Sequence, residues 1–308
     1  SDISGNGTTN IKDDVTSART IAQTTLTTDA TKTFTTSGTV NVVTLTNSGT
    51  VSNTGNISTD TLTNNNIVSN DYNASLANSI VVNTTLENSG TITNNGKITI
   101  NGDTENAGTI DGVGLLVLTD NFENKGTIAQ TTLTTDATKI LTNTGSVTVS
   151  TLSNAGTIQN EGTLNVSGTT SLGLITDNTT TKTGTLNLTG TVTADKAVTQ
   201  NIVDVQSGSL TNNASLTSND FYNTGSVTTD ASNLSVTNGI SNAGTLTLTG
   251  GTLASNVGNY DTTVGTTVID ANASTVVVNS TISGNNVELS RGTLHLNNGS
   301  LNNINSFT

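Results

Sequence analysis

The sequence has 308 residues, of which only 10% are charged, and it carries a net charge of −13 at pH 7. The absence of cysteine excludes disulfides and thiolate chemistry, and the excess of negative charge argues against nucleic acid as a partner. Thr, Asn, Ser and Gly dominate, and only 2% of the residues are aromatic. Val, Ile and Leu nevertheless recur at regular spacing, which indicates the core of β-strands and not a disordered chain.

The first 19 residues are polar and give only weak strand signals, which predicts an N-terminal arm or cap over residues 1–19. The chain opens at Ser1 without a methionine or a visible signal peptide, so we expect a processed or excised chain. The longest apolar run, Gly114–Leu118, is far too short to cross a bilayer. We therefore expect no membrane insertion.

A long internal duplication follows this segment. Residues 20–57 align without gaps on residues 127–164, and within them the thirteen residues Thr20–Lys32 recur letter for letter at Thr127–Lys139. A duplication of this length predicts a fold built from copied structural units.

A shorter period of six residues lies beneath the duplication. In the middle of the chain every sixth residue is apolar with one exception, at Leu86, Ile92, Ile98, Thr104, Ile110, Leu116, Phe122 and Ile128. Every third hexad matches best, and three short strands in a unit of about 18 residues are typical of one rung of a β-solenoid. We expect an all-β fold in which residues 20–308 form a single continuous parallel β-solenoid, or β-helix. It has about 17 rungs of about 17–20 residues with three short strands each, and is a rod about 80 Å long.

The recurring Asn-x-Gly triplets mark the corners between these strands. We predict that Asn and Gly occupy the corners because both tolerate a left-handed backbone conformation. The period of 18 stacks Gly90, Gly108 and Gly126. It also stacks Asn88, Asn106 and Asn124, and stacked asparagines are expected to form an amide ladder along the axis. The absence of proline agrees with strands whose N–H groups all join backbone ladders.

The tandem segments NSGTI, NAGTI and NTGSV resemble the β-helical passenger regions of bacterial autotransporters and haemagglutinin-like surface exoproteins. The resemblance covers residues 20–300. It implies a right-handed parallel β-helix displayed outside a bacterial cell, with a role in adhesion or surface-layer formation. Hexad repeats also occur in left-handed β-helices, so the right-handed form is a preference and the alternative stays open.

Residues that could carry catalysis are scarce. The single histidine, His295, alternates with Leu294 and Leu296, which predicts an outer strand face. The only arginines are Arg19 and Arg291, whereas enzymes that cleave polysaccharides on a β-helix cluster Asp, Lys and Arg in a groove. We predict that the protein is not an enzyme, and we assign no catalytic, cofactor-binding or metal-binding residue and no cofactor.

One acidic column stands out among the charges. Glu87, Glu105 and Glu123 lie 18 residues apart, so their carboxylates should stack about 5 Å apart. Oxygen ligands of this kind suit calcium, and the repulsion between them should raise the pKa of at least one member. The interpretation that we favour is a solvated acidic stripe copied with the rungs.

Threonine pairs and glycosylation sequons have similarly simple explanations. Thr-Leu-Thr occurs at Thr25–Thr27, Thr44–Thr46 and Thr61–Thr63, and flat arrays of this type also occur in ice-binding solenoids. We favour exposed strand faces, for which Thr is the best polar residue. Asn-x-Ser/Thr sequons are expected by chance in this composition, as at Asn83, Asn178 and Asn187.

The two ends of the predicted solenoid bear most directly on function. The aliphatic rhythm continues to Phe307, and a solenoid edge invites pairing with another strand. Either the chain is cut from a longer passenger, or its ends stack into a fibre. We predict an extracellular structural protein of a bacterial cell surface that acts as an adhesin stalk, surface-layer unit or fibre subunit. The alternative is a β-helical binding module or a polysaccharide-acting, phage-tail-like protein. The expected partners are further copies or adjacent parts of a longer chain, and host or neighbouring cell surfaces or matrix.

Overall fold

A computed structural model describes residues 1–71, 79–177 and 182–308. The chain is all-β, and its strands form parallel ladders between stacked coils, which make a β-solenoid of about 16 turns. The predicted fold class is confirmed. Within the described residues the one helical element is a 3₁₀ turn at Ala231–Asn233.

The strands are short and are numbered in chain order. The first nineteen are β1 (Ile3–Ser4), β2 (Thr8–Ile11), β3 (Val15–Ser17), β4 (Ile21–Thr28), β5 (Thr33–Thr36), β6 (Thr39–Asn47), β7 (Thr50–Asn53), β8 (Asn56–Asn64), β9 (Ile67–Asn70), β10 (Ser79–Asn88), β11 (Thr91–Asn94), β12 (Lys97–Ile100), β13 (Thr104–Asn106), β14 (Thr109–Asp111), β15 (Leu115–Leu118), β16 (Phe122–Asn124), β17 (Thr127–Thr135), β18 (Ile140–Asn143) and β19 (Ser146–Asn154). The remaining twenty are β20 (Thr157–Asn160), β21 (Thr163–Val166), β22 (Thr170–Leu172), β23 (Leu174–Thr176), β24 (Thr185–Leu188), β25 (Thr191–Ala194), β26 (Val198–Val205), β27 (Ser209–Asn212), β28 (Leu216–Asn223), β29 (Ser226–Thr229), β30 (Leu234–Val236), β31 (Ile240–Asn242), β32 (Thr245–Leu248), β33 (Gly251–Leu253), β34 (Val257–Asn259), β35 (Thr266–Val278), β36 (Thr281–Ser283), β37 (Asn286–Leu296), β38 (Ser300–Asn302) and β39 (Ser306–Phe307).

The chain contains two compact units. Unit 1 comprises Ser1–Val149 and Ser153–Thr157, and unit 2 comprises Ser150–Leu152 and Ile158–Thr308. Each unit is built from the same kind of rung, and the two are described separately below.

Strand register in unit 1 follows the predicted period. Ile80 pairs with Ile98 and Ile98 with Leu116, a step of 18 residues each time. The step is longer where Asn56 pairs with Ser79, because the segment before β10 is longer. Alternation places every second side chain inside, so β12 buries Ile98 and its second isoleucine and leaves its lysine exposed. Each buried aliphatic of this size contributes about 1.5–3 kcal/mol of hydrophobic stabilisation.

Unit 2 repeats this arrangement with less regular steps. Val203 pairs with Phe221 and Phe221 with Ile240, and all three are buried. The step reaches 25 residues where Gly251 pairs with Val276. Most rungs therefore have the predicted length, and the longer ones absorb extra residues between the strands.

The segment 1–19, for which the sequence predicts an arm or cap, carries the strands of a further rung. β1 and β2 pair in parallel with β4, and β3 pairs with β5. Its residues also match those of an interior rung, residues 108–126, in backbone detail. Gly5 and its counterpart Gly112 both have φ in the left-handed region, +130° and +113°. Lys32 contacts Asp13 just as Lys139 contacts Asp120, with N–O distances of 3.3 and 2.7 Å. The structural repeat therefore begins before Thr20.

The two copies of the repeat begin on different faces of unit 1. Ile3 starts a column of inward residues that reaches Leu116 and Leu133 through successive rungs. Its counterpart Ile110 instead lies between Ile92 and Ile128. The second copy is thus displaced by one face, which is possible because all three faces are built from the same short strand and corner.

The predicted asparagine ladder is confirmed, and it is longer than the sequence indicated. Six asparagines in unit 1 are at most 2% exposed, and each of the first five donates its Nδ2 amide to the Oδ1 atom of the next over 2.7–2.9 Å, in the order Asn47, Asn64, Asn88, Asn106, Asn124 and Asn143. Unit 2 contains a shorter run of the same kind, in which Asn223 donates to Asn242 and Asn242 to Asn285. Every amide along these two ladders is therefore hydrogen-bonded, as buried polar groups in folded proteins usually are.

The left-handed backbone predicted for the Asn-x-Gly corners is wrong. Neither the ladder asparagines nor Gly90, Gly108 and Gly126 have a left-handed backbone. The asparagines point inward, and the glycines are required because the preceding rung passes too close. A Cβ atom on Gly108 would lie 2.1 Å from the carbonyl oxygen of Gly90, and one on Gly126 would lie 2.0 Å from that of Gly108.

Candidate functional site

The glutamate column lies on the outer face of three successive strands of unit 1. Glu87 of β10 pairs with Glu105 of β13, which pairs with Glu123 of β16, so the predicted register is confirmed. These side chains line an open groove of about 590 Å³, together with neighbours that include Asp103 and Thr63. The alternation of the strands turns Asn88 inward and the adjacent glutamate outward, which places all three carboxylates on one surface.

Lys125 changes the electrostatics that the sequence predicts for this column. Its Nζ atom lies 2.8 Å from Glu105 and 3.4 Å from Glu123, bridging two adjacent rungs. The hydrogen bond to Glu105 raises the pKa of Lys125 above its ordinary value. Glu87 accepts a hydrogen bond from the Thr63 hydroxyl at 3.2 Å. The ammonium therefore offsets the like-charge repulsion expected from the carboxylates alone, and the sequence analysis missed it because Lys125 lies in the corner after β16.

Calcium is not expected to bind this column. Among the described residues no group of three His, Cys, Asp or Glu side chains is arranged to hold a metal ion. Because Lys125 already occupies the space between two of the carboxylates, titration with calcium in a calorimeter should give no saturable heat. Glu105→Gln is the matched control, since it removes the central carboxylate and keeps its shape. A saturable heat in the original chain that disappears in Glu105→Gln would contradict this prediction.

The threonine pairs occupy the same outer face on the preceding rungs. Thr25 pairs with Thr44 and Thr44 with Thr61, so the three Thr-Leu-Thr segments are in register. The next rung places Glu87 opposite Thr63, which ends the threonine array. The array therefore passes directly into the glutamate column.

The other residues singled out in the sequence lie apart from this groove. His295 is exposed on β37, as predicted. Arg291 forms an ion pair with Asp270, and its hydrogen bond holds the pKa of that carboxyl below the ordinary value. Asn83 is exposed and donates to Asp60.

Of the other two sequon asparagines, Asn187 lies within the described residues and Asn178 does not. Asn187 is half-buried within β24 and donates to Asn165 at 2.7 Å.

Comparisons with protein-family models, with curated proteins and with solved structures find no match for this chain. In the part of the chain that the structure describes, no helix has the length and apolar character needed to span a membrane. The interpretation of the molecule therefore depends on its own contacts.

Proposed function

We propose that this chain is an extracellular structural protein of a bacterial cell surface, an adhesin stalk, surface-layer unit or fibre subunit whose β-solenoid ends stack on further copies. The main support for the proposal is a difference in side-chain exposure between equivalent positions of the repeat, one in an interior rung of unit 1 and one in its first rung. Ile3 is 45% exposed, whereas its counterpart Ile110 in the interior rung is 0% exposed. A further parallel rung placed over Ile3 would bury it as the rung of Ile92 buries Ile110.

The last strands of unit 2 have the same character. Leu296 is 44% exposed and Phe307 is 55% exposed, although both continue the inward aliphatic pattern. Strand edges with free backbone groups and exposed apolar side chains favour pairing with another strand. Parallel stacking of one copy on the next buries both sets of residues.

The interior amide ladders support a mechanical role. Along such a ladder each rung is joined to the next by backbone hydrogen bonds and by a buried side-chain hydrogen bond, as between Asn88 and Asn106. Networks of this kind stiffen a core because every member is satisfied by its neighbour. A surface with a net charge of −13 favours solubility of the protein before it assembles.

Sedimentation velocity over a wide range of protein concentration tests this proposal. We expect the mean sedimentation coefficient to rise with concentration, because end-to-end association follows mass action. The rise should persist at high salt, since the contact buries apolar residues and backbone hydrogen bonds and does not depend on ion pairs. A single species with a constant coefficient at all concentrations would contradict end-to-end assembly.

A further inference from the structure

The corner between β1 and β2 has a counterpart inside unit 1, and the counterpart shows what fits it. In the interior copy the corner contains Gly112 and Gly114, and Gln130 follows one rung later. Gln130 is 4% exposed, and its Nε2 amide donates to the carbonyl oxygen of Ala129 at 3.2 Å. The glycines leave an open slot in the inward amide column, because they have no side chain.

An asparagine of the preceding rung fills this slot. Asn94 donates its Nδ2 amide to Gln130 Oε1 at 2.8 Å and to the carbonyl oxygen of Leu115 at 3.1 Å. A Cβ atom on Gly114 would lie only 2.7 Å from Asn94 Nδ2, so glycine is needed at this position to leave room for the Asn94 amide. The backbone N–H of Gly114 also donates to the carbonyl oxygen of Asn94, at 2.9 Å.

The corner between β1 and β2 is built in the same way, but within the described residues no counterpart of Asn94 contacts it. Gln23 donates to the carbonyl oxygen of Ala22 at 3.2 Å, as Gln130 does to Ala129. Gln23 is only half-buried, and its Oε1 atom lies 2.9 Å from the position that a Cβ atom on Gly7 would take. Within the described residues Gln23 Oε1 accepts no hydrogen bond. The corner is therefore a prepared acceptor for an inward asparagine.

The last ten residues of the chain repeat the pattern of the segment that covers the interior corner. Residues 299–308 match residues 90–99, with Leu301 at the position of Ile92, Asn303 at that of Asn94 and Phe307 at that of Ile98. Asn303 is exposed, and within the described chain it forms no hydrogen bond through its side chain.

The interior register can be transferred to the edge. In unit 1, Ile92 pairs with Ile110, the counterpart of Ile3, and Ile98 pairs with Leu116. The same register places Leu301 of one copy over Ile3 of the next. Docking carries Asn303 from a left-handed φ of +47° into the strand conformation that the end of β11 has.

We propose that the corner formed by Gly5, Gly7 and Gln23 is a docking notch for residues 300–308 of a second copy, with Asn303 donating to Gln23 Oε1. This inference rests on the proposed end-to-end assembly and assigns its register. A strand that binds this notch must pair in parallel with β1. It must also carry an inward asparagine two residues after an inward aliphatic residue, as Asn303 follows Leu301.

Two substitutions in the full-length chain test the notch through the concentration of half-assembly in sedimentation experiments. Gln23→Leu and Asn303→Gly should each raise that concentration roughly tenfold, the effect of losing one buried hydrogen bond. The double variant should have the same concentration of half-assembly as either single variant, because both substitutions remove the same contact. Asn298→Gly is the matched control, since Asn298 is also exposed and left-handed, at φ +59°, and it should change the value by less than about twofold. Unfolding curves of each variant confirm that it folds.

The outcomes separate this inference from the proposed function. Assembly that is unchanged in Gln23→Leu and Asn303→Gly overturns the notch and leaves end-to-end assembly standing. No assembly of the original chain overturns both. A further chain with residues 79–107 fused before Ser1 identifies the other possible occupant. Two results together would show that a preceding rung of the same chain fills the notch. Gln23→Leu would lower the unfolding midpoint only in the fused chain, and the original chain would not assemble. A second copy would then be excluded as the occupant.

Discussion

Gly108→Ala is expected to lower the free energy of unfolding by about 3 kcal/mol or more, the cost of a severe steric clash in a packed interior. The added Cβ atom would lie 2.1 Å from the carbonyl oxygen of Gly90 and 2.8 Å from the carbonyl carbon of Ser89. The Gly90 oxygen accepts a hydrogen bond from the N–H of Thr109 at 2.9 Å, so it cannot move without breaking a hydrogen bond between rungs. Urea unfolding followed by circular dichroism measures the loss.

Gly258→Ala is the matched control for this substitution. Gly258 lies in β34 and not at a corner, and the nearest atom to its Cβ position is the Ser283 hydroxyl oxygen, at 3.7 Å. An ordinary contact distance predicts a change of less than about 1 kcal/mol. Equal losses in the two variants would show that close approach of the preceding rung is not the reason for glycine at the corners.

Asn106→Leu is expected to cost about 2–4 kcal/mol, because it leaves buried polar atoms unpaired on both neighbouring rungs. Asn106 accepts from Asn88 at 2.7 Å and donates to Asn124 at 2.8 Å, and it also donates to the carbonyl oxygen of Gly108 at 3.2 Å. The leucine has a similar volume, so the loss reports hydrogen bonding and not a cavity. Asn101→Leu, on the exposed surface of the same rung, should change stability by less than about 0.5 kcal/mol.

Asn106→Asp is expected to make the free energy of unfolding depend on pH through this position. Burial raises the pKa of a carboxyl above its unfolded value, so the folded state holds the proton more tightly. Stability is then greatest below the unfolded pKa of about 4, and it falls as the pH rises toward and through the folded pKa. The protonated carboxyl can donate to Asn124 while it accepts from Asn88. Unfolding at pH 3.5 and pH 7 should differ for Asn106→Asp by more than for the original chain, and equal differences would contradict an inward position.

Much of the fold could be predicted because the period alone determines it. Hexads of inward aliphatics such as Ile92 and Ile98 specify three faces, and the repeat of 18 residues specifies which residues pair. The register of Glu87 with Glu105 followed directly from that spacing. Outward positions such as His295 followed from alternation.

The remainder depends on distances that a periodicity does not contain. The close approach of Gly90 to Gly108 is set by how tightly the corners stack, and glycine in the sequence is equally consistent with a left-handed turn. The bridge formed by Lys125 depends on the direction of a long side chain in a corner. The rung in residues 1–19 was missed because its inward positions include polar Thr9, where the interior copy has Leu116.

Negative-stain electron microscopy of the purified chain across a concentration series shows whether copies of the chain stack end to end. End-to-end stacking should give unbranched filaments that lengthen with concentration and have an axial repeat of about 80 Å, the rod length that the sequence predicts. Filaments should be shorter in Gln23→Leu than in the original chain at equal concentration. Single short particles at every concentration would contradict end-to-end stacking.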